Sequence, residues 1–231
     1  MPRISGRAVS KTAAATRRTV NIKSNQRRNR GRNSRQHVLH VDGVIEANGG
    51  PDEDGTGQFE YGGWQAAFWD EQSERQVKAD VKESDALLLG RRTYDIFRKA
   101  WPSATDEIGE VFNSVPKYVV SRGEPEMSWI GTTHLRDVGE VSAVREKHRA
   151  VHTWGSSVLI QELLRLRLVD RFNLWFYPVL LGQGQKLFGD GTTPTNLRLL
   201  EPPQSFPAGA VLARYAVAEG VPARGSMTAG G

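Results

Sequence analysis

Ala86-Leu87-Leu88-Leu89 is apolar at every position, stops at Gly90, and is followed at once by Arg91-Arg92-Thr93. A strand with one face in water alternates apolar and polar side chains. An unbroken apolar run this short fits a strand covered on both faces instead. Such strands sit in sheets that carry helices on either side, so the run points to an α/β layer architecture. The rest of the chain alternates accordingly. Strands are predicted at 37–41 ("HVLHV"), 117–121 ("KYVVS"), 129–134, 150–155 ("AVHTWG") and 170–181. Helix is predicted within 64–83, with Phe68, Val77 and Val81 facing inward, and at 93–99, stopped by Pro102. Asp106 is placed to cap a helix running to Asn113, and another helix covers 138–148. Ser156 is read as the cap of a helix whose Leu159, Leu163 and Leu166 share one face. Two final strands around a Pro/Gly connection read as an antiparallel pair. The predicted fold is a three-layer α/β/α sandwich with a mixed, mostly parallel central sheet.

Charge divides the chain. Residues 1–36 hold 11 Lys or Arg and no acid, so the remainder carries 20 basic against 26 acidic residues. The formal +5 of the whole belongs to that first segment. With few large apolar residues it cannot offset its ordering entropy, and 1–36 is predicted to be disordered; only Thr19-Val20-Asn21-Ile22 has strand character there. The folded domain is predicted over 37–219, with 220–231 as a flexible tail. There are no cysteines, which excludes disulfides, thiolate metal sites and the zinc site of a deaminase, and fits a cytoplasmic location. No membrane span or apolar leader is visible. His148 and His152 lack the intervening Glu of a zinc helix, and no metal site is expected.

Three predicted strand ends carry turns suited to phosphate. They are Gly90-Arg91-Arg92-Thr93, Ser121-Arg122, and Gly155-Ser156-Ser157 with Val158. Helix N-termini supply unpaired N–H groups, threonine a hydroxyl and arginine a forked cationic donor. In open α/β sheets ligands bind beyond the carboxyl ends of the strands. Three such turns on one edge could hold a dinucleotide, and arginine rather than an acidic ribose clamp points to a 2′-phosphate. The plain alternative is a set of turns whose arginines sit in water. No G-x-G-x-x-G fingerprint follows a strand.

The stretches "LLLGRRTYDIF", "PKYVVSR", "VHTWGSSVLIQELL" and "YPVLLGQGQKLF" occur in an order and spacing that resembles the RibD C-terminal reductase domain family, relatives of dihydrofolate reductase. The likeness covers about 38–218 and is to the free-standing bacterial type. It implies a dihydrofolate reductase-like fold and an NADPH-dependent reductase passing hydride to a C=N or C=O bond of a small pteridine-, pyrimidine- or carbonyl-type substrate. It assigns Gly90, Arg91, Thr93, Ser121, Arg122, Gly155, Ser156 and Ser157 to the cofactor, and the turns read above add Arg92 and Val158. The turn "HVDGVIEA" places Asp42 and Gly43 beside nicotinamide and substrate. Gly182 and Gly184 follow as substrate-side glycines, whereas the bare pattern also fits a tight turn. Asp42 is the first candidate proton donor, with an Asx contact in its own turn as the alternative; Asp52, Glu53, Asp54 and Glu60 are looser candidates. Trp154, next to the glycine turn, is expected near the cofactor. The resemblance also implies a homodimer. Two alternatives stand beside it: a cofactor-binding relative without turnover, and a protein with salt-sensitive nucleic-acid affinity through residues 1–36.

Overall fold

In the computed structural model, residues 32–40, 42–51, 53 and 59–225 are described. The readings for 1–31, Asp52 and Asp54 fall outside them. Strands β1 (Arg32–His40), β2 (Ala86–Gly90), β3 (Lys117–Val120), β4 (Thr132–Leu135), β5 (Ala150–Trp154), β6 (Arg171–Tyr177), β7 (Leu197–Leu199), β8 (Gln204–Ser205) and β9 (Val211–Val217) form one sheet. Its order is β4-β3-β2-β5-β1-β6-β9-β7, with β8 also on β9. The six strands from β4 to β6 are parallel, and β9 returns antiparallel to β6. Helices α1 (Glu71–Lys82), α2 (Arg91–Ala100) and α3 (Glu107–Ser114) cover one face; α4 (Val141–Lys147) and α5 (Ser157–Arg165) cover the other.

The apolar run of β2 is buried as its pattern demands. Leu87 and Leu89 join the core under α1–α3, and Ala86 and Leu88 join the core under α4 and α5. Val77 and Val81 bring α1 onto the sheet, as Leu159 and Leu163 bring α5. The N-terminus of α1 is closed by an Asp70–Ser73 capping box, and Asp70 also accepts from Ala208 N at 3.0 Å, tying α1 to the loop before β9. Asp106 caps α3 as expected, accepting from the Ile108 and Gly109 amides at 2.9 and 3.0 Å. Asp106→Ala should lower unfolding stability by about 1 kcal/mol in urea titration.

Three boundaries differ from the sequence reading. The first strand begins at Arg32, not at 37: Arg32–Gln36 pair with Ala150–Trp154 of β5, and Gln36–His40 with Asn173–Tyr177 of β6. The parallel ladder with β5 gives this stretch of backbone its partners, and that ladder outweighs the polar composition of "RNSRQ". Helix α2 starts at Arg91, directly after the strand. The strand predicted over 170–181 stops at Tyr177, where Pro178 ends the ladder.

Lys117 is an unforeseen core residue, 1% exposed. Its Nζ donates to the carbonyls of Asn113 (2.8 Å) and Ile130 (3.1 Å) and lies 4.8 Å from the Trp129 ring centroid. Burial pulls its pKa down to about 8 from 10.5. Between those values the unfolded chain binds a proton that the folded chain does not. This residue's contribution to stability therefore rises with pH across that window. Lys117→Met should flatten the rise, read as the difference between the two proteins' urea midpoints from pH 8 upward.

Candidate active site

A cleft of about 1020 Å³ opens at the carboxyl ends of the parallel strands. Its floor is made by the two strand-to-helix turns after β2 and β5. Neither α2 nor α5 has a side-chain cap; the first turn of α2 lines the cleft, and α5 meets it through Gly155 and Ser156, the two residues before its first turn. Ser156 holds the two turns together. Its Oγ accepts from Gly90 N at 2.9 Å and donates to Thr93 Oγ1 at 2.8 Å. Ser156 is thus the first residue before α5, as expected, but its hydroxyl serves the neighbouring turn instead of capping its own helix. Gly155 and Ser156 both have left-handed backbone, with φ of 56° and 59°. A Cβ on Gly155 would also lie 3.5 Å from Thr93 Oγ1. The result is a shallow cradle of backbone amides and hydroxyls, the kind of surface that accepts a phosphate.

The arginines face opposite ways. Arg91 Nε pairs with Asp95 at 2.5 Å, and its Nη1 donates to Glu124 O at 2.7 Å in the loop after β3. Arg92 reaches across the cleft to Glu46 Oε1 at 3.1 Å and to Gln185 Oε1 at 3.4 Å. Glu46 Oε2 accepts from Gln185 N, and Gln185 Nε2 donates to the buried Ser157 hydroxyl at 2.6 Å. This clasp joins both helix N-termini to segments 42–46 and 185–187. Those segments pair with each other through Ile45 N–Gln185 O and Leu187 N–Gly43 O.

Of the residues singled out in the sequence, Arg91, Arg92, Thr93, Trp154, Gly155, Ser156 and Glu53 line the cleft. Gly90 and Ser157 stand directly behind it through the bonds above. Ser121 is buried and accepts from His134 Nε2 through its carbonyl, and Arg122 is exposed in the loop after β3; both lie beyond the Arg91 side of the cleft. Val158 is 69% exposed on α5, away from the lining. Asp42 does not line the cleft either: its Oδ2 accepts from the amides of Leu181 and Gly182, fastening that turn. Gly184 has φ of 111°, and a Cβ there would stand 2.8 Å from Val44 and Phe59, so packing accounts for the glycine. Glu60 is exposed in its loop.

Glu46 and Gln185 escaped the sequence reading although both fall within the quoted motifs. Beside the cleft, and sharing Phe97, Trp101 and Trp154 with it, lies a recess of about 160 Å³. Trp69, Phe112, Trp175 and Tyr177 add to its aromatic wall. Gln65 Nε2 donates to the Tyr177 hydroxyl at 2.7 Å, and Asn48 holds Gln65 at 2.7 Å. Burial pushes the Tyr177 phenol up to about 12, so it keeps its proton at neutral pH.

Solved structures of other proteins share this architecture. The chain matches, at 14% identity and TM-score 0.54, a dihydrofolate reductase from Enterococcus faecalis complexed with NADP(H), covering 82% of this chain and 98% of that one. It matches a crystal structure from Shewanella sp. PV-4, named for riboflavin biosynthesis, at 19% identity and TM-score 0.62, covering 81% and 99%. The fold is therefore dihydrofolate reductase-like. The family description RibD C-terminal domain matches residues 38–207, and the chain belongs to that family. Among curated proteins it is 28% identical over 144 residues to the uncharacterized protein YyaP of Bacillus subtilis, covering 58% of this chain and 75% of that protein.

Proposed function

We propose that this protein is an NADPH-dependent reductase that transfers hydride to a C=O or C=N bond of a small substrate. The observation that carries this reading is the pair of uncapped helix N-termini bound together by Ser156 on the floor of one large cleft. Two orphaned sets of backbone N–H groups, the hydroxyl pair Ser156–Thr93 and the arginines beside them suit a pyrophosphate flanked by further phosphate. Gly155 and Ser156 would hold the pyrophosphate. Arg91, with Arg122 at the next strand end, would meet a 2′-phosphate. The NADP(H) bound by the Enterococcus relative and the family's reductase character support the assignment. The bound cofactor supplies hydride from nicotinamide C4. The protein's share is to align the two reactants and keep water out between them. A proton must reach the reduced substrate; Asp42 is engaged elsewhere, whereas Tyr177 is a protonated hydroxyl beside the recess. The test is NADPH oxidation by the purified chain against a panel of small carbonyl and imine compounds. Saturable turnover with any member supports the reductase. Tight NADPH binding with no turnover on any member favours the relative without turnover.

A further inference from the structure

Arg91 and Arg92 open the same helix, yet they are held in different ways. Arg91 is fixed on its own side, by Asp95 on α2 and by the Glu124 carbonyl. Arg92 is held from across the cleft: among the described residues, its side chain bonds Glu46 and Gln185. Both partners are anchored. The Glu46 side chain is 18% exposed and its Oε2 accepts from Gln185 N at 2.9 Å, while Ile45 N donates to Gln185 O at 2.8 Å. The Arg92 side chain is 53% exposed, so the arm free to move is the arginine. The phosphate cradle adjoins that arm on two sides. Gln185, which bonds Arg92, also bonds the hydroxyl of Ser157, and the next residue along α2, Thr93, takes the Ser156 hydroxyl.

Charge decides what can release it. Among the described carboxylates that line the cleft, Asp95 is matched by Arg91 and Arg98, and Glu53 accepts from the Gly49 amide at 2.6 Å. Glu46 is the one paired with Arg92, at 3.1 Å. An ion pair this exposed is weak, whereas a diphosphate offers an arginine a forked, charge-assisted contact. A neutral ligand gives Arg92 nothing in exchange for Glu46. From these observations we infer that the Glu46–Arg92 pair is an electrostatic latch across the cleft, opened by a ligand whose diphosphate takes Arg92 from Glu46. Glu46 thereby sets the threshold for entry, because the anion must outcompete it. The inference rests on the nucleotide reading for its natural ligand, but not for the exchange of partners.

The probes are NADPH and inorganic pyrophosphate, which carries the diphosphate without the nucleosides. Each is titrated into the full chain while the Arg92 Nε–H resonance, identified by its loss in Arg92→Ala, is followed by NMR. Both are expected to shift it, because the guanidinium changes partner. Glu46→Gln keeps an acceptor for the Gln185 amide and removes the charge. By calorimetry it should bind both probes about twofold to fivefold more tightly, the worth of an exposed ion pair. Its Arg92 signal should already be displaced before any ligand is added. NADH should gain as much as NADPH, since the diphosphate is common to the two. An Arg92 signal that stays in place in the saturated wild-type protein overturns the latch, and so does a Glu46→Gln variant that binds no more tightly. Pyrophosphate that shifts Arg92 while NADPH fails to bind sinks the reductase reading only. NADPH bound with Arg92 unmoved sinks the latch only, and silence toward both probes sinks both.

Discussion

Gly155→Val is expected to raise the dissociation constant for NADPH roughly a hundredfold while the protein remains folded. Two effects add. The backbone at this position is left-handed, a conformation that costs a β-branched residue on the order of 1–3 kcal/mol. Relief of that strain turns the peptide and withdraws an amide from the cradle, and a hydrogen bond to a charged phosphate contributes about 1.5–3 kcal/mol. The new side chain would also press on Thr93, whose hydroxyl takes the Ser156 bond. Calorimetric titration reads the change. An affinity within about threefold of wild type would mean that the turn after β5 does not touch the cofactor.

The second large effect concerns selectivity. Arg91→Ala should weaken NADPH by roughly tenfold to a hundredfold, the worth of one charge-assisted contact, and leave NADH nearly unchanged. The two nucleotides differ only in the 2′-phosphate, so the comparison isolates that contact. Arg91 also pairs with Asp95 and the Glu124 carbonyl. An equal loss for both nucleotides would therefore assign it to holding α2 in place. Arg92→Ala acts on the opposite wall, through Glu46 and Gln185, and should not alter the preference.

What could be read from the sequence was whatever is local along the chain. The two-sided burial of β2 follows from four consecutive apolar residues, the α3 cap from one aspartate, and the phosphate turns from glycine and hydroxyl residues adjacent in sequence. Contacts made across the chain were not legible. Ser156 looked like an ordinary helix cap because nothing nearby shows that Gly90, 66 residues earlier, takes its hydroxyl. Arg32–Gln36 looked like part of a solvated tail because composition does not reveal that β5 lies alongside. Glu46 and Gln185 carry no motif of their own; they matter because 42–46 and 185–187 pair and Arg92 lies opposite. Trp154 was legible from the glycine turn that follows it, whereas Trp175 and Tyr177 carry no local signal for the recess they line.

The central claim is that the cleft holds NADPH, and binding tests it without knowledge of the substrate. Trp154 lines the cleft, so reduced nicotinamide bound there should quench tryptophan emission by energy transfer. Titration of the purified protein with NADPH and, separately, with NADH is the measurement. The account predicts saturable transfer with both, at least about tenfold tighter for NADPH, and a smaller signal in Trp154→Phe. Absence of saturable transfer with either nucleotide would contradict it.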